Sequence, residues 1–173
     1  MTIKIYNTLA RKKEAFKPIE GSLVKIYSCG PTVYDEAHHG HARNALTYDI
    51  FVRSKRSRGW KIFYLQNITD VDDKIINRAR EARVSPFTLA RQFEDAYHRD
   101  MKLLDVSQVD RYARASGYIP EITAQIQTLI RKNHAYKINA FGYYFDIKTS
   151  PNYGALSKRL VVQAEDAISR IDT

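Results

Sequence analysis

Hydrophobic positions along the chain fall into short runs that change period from place to place. Residues 23–29 (LVKIYSC) are rich in β-branched and aromatic side chains and stop at Gly30-Pro31, which predicts a strand. Nothing between residues 37 and 58 breaks a helix except Gly40 near its start, and Gly59 is placed to end it. Residues 60–69 (WKIFYLQNIT) predict a second strand, with an apolar middle too continuous for a half-exposed hairpin. Val71, Ile75, Ala79 and Ala82 then recur at helical spacing, with Asp70 as the expected N-cap. Ser85-Pro86 opens another helix, whose stripe of Leu89, Phe93, Tyr97, Met101 and Leu104 reads as core packing. A further helix carries Ile122, Ile126, Leu129 and Ile130 after Pro120, and residues 143–147 (YYFDI) predict one more strand. Strand, helix, strand, helix through residue 83 implies a parallel sheet with right-handed crossovers, half of a nucleotide-binding α/β fold.

Composition narrows the class. The 173 residues are 44% hydrophobic and 12% aromatic, which fits a globular protein and excludes a disordered one. No run of about 18 apolar residues predicts a membrane span, and residues 1–18 lack the apolar centre of a signal peptide. A single cysteine makes no internal disulfide, so a reducing cytoplasm is the expected location. The formal charge of +9 favours a polyanionic partner, nucleic acid or nucleotide.

The chemistry gathers in residues 28–49, SCGPTVYDEAHHGHARNALTYD. In a parallel sheet, ligands sit at the carboxyl ends of strands. Cys29 and its followers hold that place after the first strand, Thr69 and Asp70 after the second. His38 and His41 are three apart, so they share one face at a helix start, where free amides and a dipole end of roughly half a charge suit phosphates. Gly40 between them lets a flat base or ribose approach the backbone. A merely solvent-facing histidine turn is the alternative, as a small buried apolar residue is for Cys29. The acids Asp70, Asp72 and Asp73 are explained by a helix start, and the cations Arg53, Lys55, Arg56, Arg58 and Lys61 either by a helix end or by contact with RNA phosphates.

The run CGPTVYDEAHHGHARNALTYD, followed by YLQNITDVDDKIINRA, resembles the amino-terminal half of cysteinyl-tRNA synthetases, class I aminoacyl-tRNA ligases. The likeness begins at IYNTLARKKEAFKP and continues through GYIPEITAQIQTLIRKNHAY and YFDIKTSPNYGALSKR. It implies the first half of a Rossmann-type catalytic domain over residues 1–110 and the start of a connective insertion over 111–173. It implies ATP, with Mg2+, held by Pro31, Thr32, Tyr34, His38, His39, Gly40 and His41, the family's HIGH signature falling on the last four and catalysis on His38 and His41. The signature's second position is usually aliphatic and packed beneath the turn; here it is His39, for which an unpartnered burial is expected to cost on the order of 1–3 kcal/mol.

The same likeness implies that Cys29, Gly30 and Thr69 bind the cysteine substrate, with Cys29 as the first of four Zn2+ ligands. A soft metal would favour a thiolate over the serine hydroxyl. The implied reaction activates cysteine to its adenylate and transfers it to tRNA(Cys). No second cysteine and no KMSKS-like loop follow, so the isolated chain is expected to be inactive as a ligase and to bind zinc substoichiometrically. Two other readings stand beside this one: a non-catalytic relative that binds nucleotide or serves as an interaction module, and a cysteine ligase acting on an inositol-linked sugar amine.

Overall fold

The computed structural model describes residues 3–19, 21–138 and 142–158. In chain order the elements are β1 (Lys4–Asn7), β2 (Lys12–Ala15), β3 (Leu23–Ser28), α1 (His39–Arg56), β4 (Lys61–Ile68), α2 (Asp73–Ala82), α3 (Pro86–Leu103), β5 (Arg111–Arg114), α4 (Ile119–Arg131), β6 (Ala135–Ile138) and β7 (Gly142–Phe145). They form two compact units, residues 18–119 and residues 1–17 with 120–173. The last stretch of the expected insertion, 159–173, lies outside the described residues.

The unit of residues 18–119 is built on a parallel sheet of order β3-β4-β5. β3 pairs with β4 from Leu23↔Lys61 to Ser28↔Gln66, and β5 joins the other edge from Leu65↔Arg111 to Ile68↔Arg114. α1 bridges the first pair and α2 with α3 the second, as parallel strands require. The expected strands and crossovers are therefore present; β5 was not expected.

Burial alternates along β4, with Ile62, Tyr64, Gln66 and Ile68 buried while Lys61 and Phe63 are exposed. The strand pairs in parallel on both sides and is no hairpin arm, as expected, although its apolar middle is buried on one face only. α1 and α3 reach the even-numbered face, where Tyr48 lies 5.9 Å from Tyr64 and the Tyr97 hydroxyl donates to Gln66 at 2.8 Å. The other face leaves Leu23, Tyr27 and Phe63 exposed. Ile68, Ile75, Ala79, Leu89, Tyr97, Met101 and Val106 close the core, each large apolar side chain contributing about 1.5–3 kcal/mol. Beneath the strand ends runs a buried polar chain from Tyr97 through Gln66 and Ser28 to Tyr64, every link hydrogen-bonded. Burial pushes the Tyr97 and Tyr112 hydroxyls up, the latter to about 12.

Two helix expectations change. α2 is capped by Asp72, whose side chain accepts from Lys74 N–H, and not by Asp70, which instead receives the Ser116 amide at 2.9 Å and the Ser116 hydroxyl. Of its apolar stripe Ile75 and Ala79 are buried, whereas Val71 and Ala82 are exposed. α3 starts as expected, Ser85 Oγ accepting from Thr88 N–H at 3.0 Å. Its stripe is buried at Leu89, Tyr97 and Met101, half-buried at Phe93, and exposed at Leu104, which lies beyond the helix end.

The second unit holds two antiparallel hairpins, β1-β2 and β6-β7, and the amphipathic α4. β7 answers the strand expected near residue 143; β1, β2 and β6 were not expected.

Candidate functional site

Beyond β3 and β4 the chain keeps the two strand ends together. Thr32 and Thr69 form an isolated parallel bridge, with Thr69 N–H donating to Pro31 C=O at 3.0 Å and Val33 N–H to Thr69 C=O at 3.1 Å. Pro31 and Val33 are buried, while Thr32, Tyr34 and Thr69 are half-buried. At Gly30 a Cβ would lie 1.7 Å from the Asn67 carbonyl oxygen, so only glycine lets the loop lie this close to β4. Cys29 is exposed, and its carbonyl accepts from Asn44 Nδ2 at 3.1 Å. Asn44 stands on α1 one turn past His41, which ties the main chain at Cys29 to the helix that carries the histidines.

α1 begins with a reciprocal cap made of two imidazoles. His38, in extended conformation, is the N-cap: its Nδ1 accepts from Gly40 N–H at 3.0 Å, and His41 Nδ1 accepts from His38 N–H at 3.2 Å. The rings stack with centroids 3.9 Å apart. An imidazole that accepts at Nδ1 carries its proton on Nε2, so both rings present Nε2–H donors away from the helix. Burial, and then the charge of the neighbouring His38, push the His41 pKa below its ordinary value, which keeps this ring neutral at physiological pH. The two Nε2–H donors and the positive helix end together form an electrophilic corner.

Gly40 owes its identity to this cap. A Cβ there would sit 2.7 Å from His38 Cε1 and 2.9 Å from Nδ1. The space a side chain would need there is taken by the His38 ring. His39 is also corrected: it is exposed, and the expected burial penalty does not arise. With Ala37, Ala42, Met101 and Leu104 it lines a shallow, largely apolar cavity of about 300 Å³. Tyr34 packs against the core, with the Lys74 ammonium 5.4 Å above its ring.

The cations at the far end of α1 serve the fold. Arg53 grips the buried Asp49 at 2.9 Å and the Asp105 carbonyl at 2.6 Å. Arg56 holds Asp110 at 2.5 Å and the carbonyls of Ile62 and Gln108. Lys55 is buried, its ammonium 5.6 Å over Phe51. Of the run weighed as an RNA contact, these three are engaged by the fold, although Arg53 stays exposed, as do Arg58 and Lys61. Asp72 caps α2 and Asp70 holds Ser116, so the acids after Thr69 also act structurally.

Among the described residues, no group of three or more His, Cys, Asp or Glu side chains gathers to hold a metal ion. Cys29 alone does not make a zinc site. Sequence reasoning missed Asn44 and Asn67, which fasten the loop around Cys29 and Gly30; an isolated Asn carries no periodic signal. His98, to which no role was assigned, lies edge-on to Tyr112 at 4.6 Å and 3.6 Å from the buried Glu94, within the ion cluster of Arg91, Glu94 and Arg114.

Residues 15–172 match the family described as tRNA synthetases class I (C) catalytic domain. The chain is 45% identical over 159 residues to a cysteine–tRNA ligase of Coxiella burnetii, covering 92% of this chain and 35% of that protein. Cysteine–tRNA ligases of Symbiobacterium thermophilum and Hydrogenovibrio crunogenus are each 44% identical, over 99% of this chain and 37% and 38% of theirs. The chain thus spans little more than a third of the length of these relatives. Its fold is similar to Mycobacterium tuberculosis methionyl-tRNA synthetase in complex with methionyl-adenylate, with a TM-score of 0.62 and 19% identity over 67% of this chain and 23% of that one. Among the described residues, no helix is long and apolar enough to cross a membrane.

Proposed function

Since the chain belongs to the family of class I (C) tRNA synthetase catalytic domains, we propose that it carries the ATP- and cysteine-binding part of a cysteine–tRNA ligase. The observation that carries this reading is the pair of stacked imidazoles at the start of α1, whose Nδ1 atoms are occupied by backbone amides. In this reading Pro31, Thr32, Tyr34 and residues 38–41 hold ATP, which brings Mg2+ on its phosphates. Cys29, Gly30 and Thr69 receive cysteine. The cysteine carboxylate attacks the α-phosphorus; an O–P bond forms as the bond to the pyrophosphate oxygen breaks. Charge grows on the phosphate oxygens, and the Nε2–H groups of His38 and His41 lie ready to donate to them. Preorganised donors lose no reorganisation energy at that moment, and one such donor is worth about 10²–10³ in rate. The cysteinyl group then passes to the terminal ribose of tRNA(Cys).

Cys29 is proposed as one of several ligands to zinc. The residues described here do not complete such a site, and no step is routed through the metal. The division into a catalytic fold over 1–110 and an insertion beginning at 111 belongs to the same proposal, as does a cytoplasmic location. The test is cysteine-dependent ATP–pyrophosphate exchange by this chain alone and by the chain continued to the length of its relatives. Exchange in the longer protein, silence in the short one, and loss on His41→Ala are expected. Cysteine-independent behaviour of the longer protein would overturn the reading.

A further inference from the structure

Asn67 lies two residues before Thr69, so both side chains leave the β4 line on the same side. Its Oδ1 accepts two hydrogen bonds, from Gly30 N–H at 2.9 Å and from the Tyr27 hydroxyl at 2.9 Å, and its Nδ2 donates to Thr69 Oγ1 at 3.1 Å. A backbone N–H can only donate, so the amide oxygen must face Gly30 and the NH2 must face Thr69. With one lone pair of the Thr69 hydroxyl filled in this way, the hydroxyl hydrogen has to point elsewhere. One amide therefore fixes the turn at Cys29-Gly30 and the polarity of Thr69 together.

We infer that Asn67 is a positioning residue that holds Thr69 as a hydrogen-bond donor toward an acceptor atom of the bound amino acid. Asn67 does not touch the ligand; it acts through Thr69. The inference rests on the proposed cysteine-binding role of Thr69 and adds to it the direction of the hydrogen bond.

Asn67→Asp separates the two jobs. The carboxylate still accepts from Gly30 and Tyr27, but it turns the Thr69 hydrogen inward. In the full-length protein, the melting temperature and the rate of Cys29 alkylation are expected to match wild type. The KM for cysteine is expected to rise roughly ten- to a hundred-fold, the worth of one hydrogen bond to a charged group, with the KM for ATP unchanged. Thr69→Val should show the same loss, Thr69→Ser little, and the Asn67→Asp/Thr69→Val double variant no more than Thr69→Val. Repulsion by the new carboxylate would instead persist in the double variant, and that result would overturn the inference, as would a wild-type KM for Asn67→Asp. Asn67→Ala frees the turn, and faster Cys29 alkylation is expected without reference to activity; an unchanged rate would contradict the clasp. Failure of the wild-type protein to exchange would sink the ligase reading and the inference with it, an outcome distinct from a normal wild type with an unaffected Asn67→Asp.

Discussion

The two ends of α1 use polar side chains in opposite ways. At the carboxyl end, Arg53 and Arg56 are bound to Asp49, Asp105, Asp110 and main-chain carbonyls, so their charge is engaged by the fold. At the amino end, His38 and His41 satisfy the backbone with one ring nitrogen each and leave the other outward. The arginine-rich end is the structural one, and the histidine end has donors to offer. Charge counted along a sequence locates neither role; the hydrogen-bond partners do.

The carboxyl end gives the largest expected effect. Asp49 is buried and accepts from Ser107 N–H at 2.7 Å, Gln108 N–H at 2.8 Å and the Arg53 guanidinium. Asp49→Ala leaves those donors unpaired and is expected to cost roughly 3 kcal/mol of stability, read in a denaturant melt. His38→Ala or His41→Ala opens the reciprocal cap and should cost only about 1 kcal/mol of stability, while lowering pyrophosphate exchange in the full-length protein by about 10²–10³. Equal effects of both substitutions on stability would erase the contrast between the two ends.

Gly40→Ala sharpens it. The new methyl displaces the His38 ring and removes a cap worth about 1 kcal/mol, while alanine returns about 1 kcal/mol of helix propensity. Stability should hardly move, whereas exchange should fall by up to about 10², since a displacement near 1 Å is enough for that.

A smaller effect follows from His41. Its pKa is lowered in the fold, first by burial and then by His38, so at pH just below the ordinary imidazole value the unfolded chain binds more protons than the native one. Stability is therefore expected to rise with pH through that window and to level off above it. His41→Asn should flatten the profile. Arg58, exposed past the helix end, should be replaceable by alanine with no measurable effect on stability.

Much of the parallel fold was legible because its signals are local. Gly30-Pro31 ends a β-branched run, Ser85-Pro86 opens a helix, and Gly59, with φ of 79°, closes another. What escaped depends on partners distant in sequence. β5 is only the four residues RYAR, and it is a strand because β4 offers it an edge. Asp70 and Asp72 look equivalent until Ser116 engages the first. His39 breaks an expected pattern, yet it lies on the exposed side of its turn. The histidine cluster is legible in the sequence, but its reciprocal cap and the Asn67 clasp follow only from atoms in place.

The most direct test of the electrophilic corner is the tautomeric state of His38 and His41, read from nitrogen-15 NMR of the full-length protein above the imidazole titration range and titrated with ATP. Protons on Nε2 of both rings, with those resonances moving as the nucleotide binds, are the predicted result. Protons on Nδ1, or ring signals indifferent to saturating ATP, would contradict it.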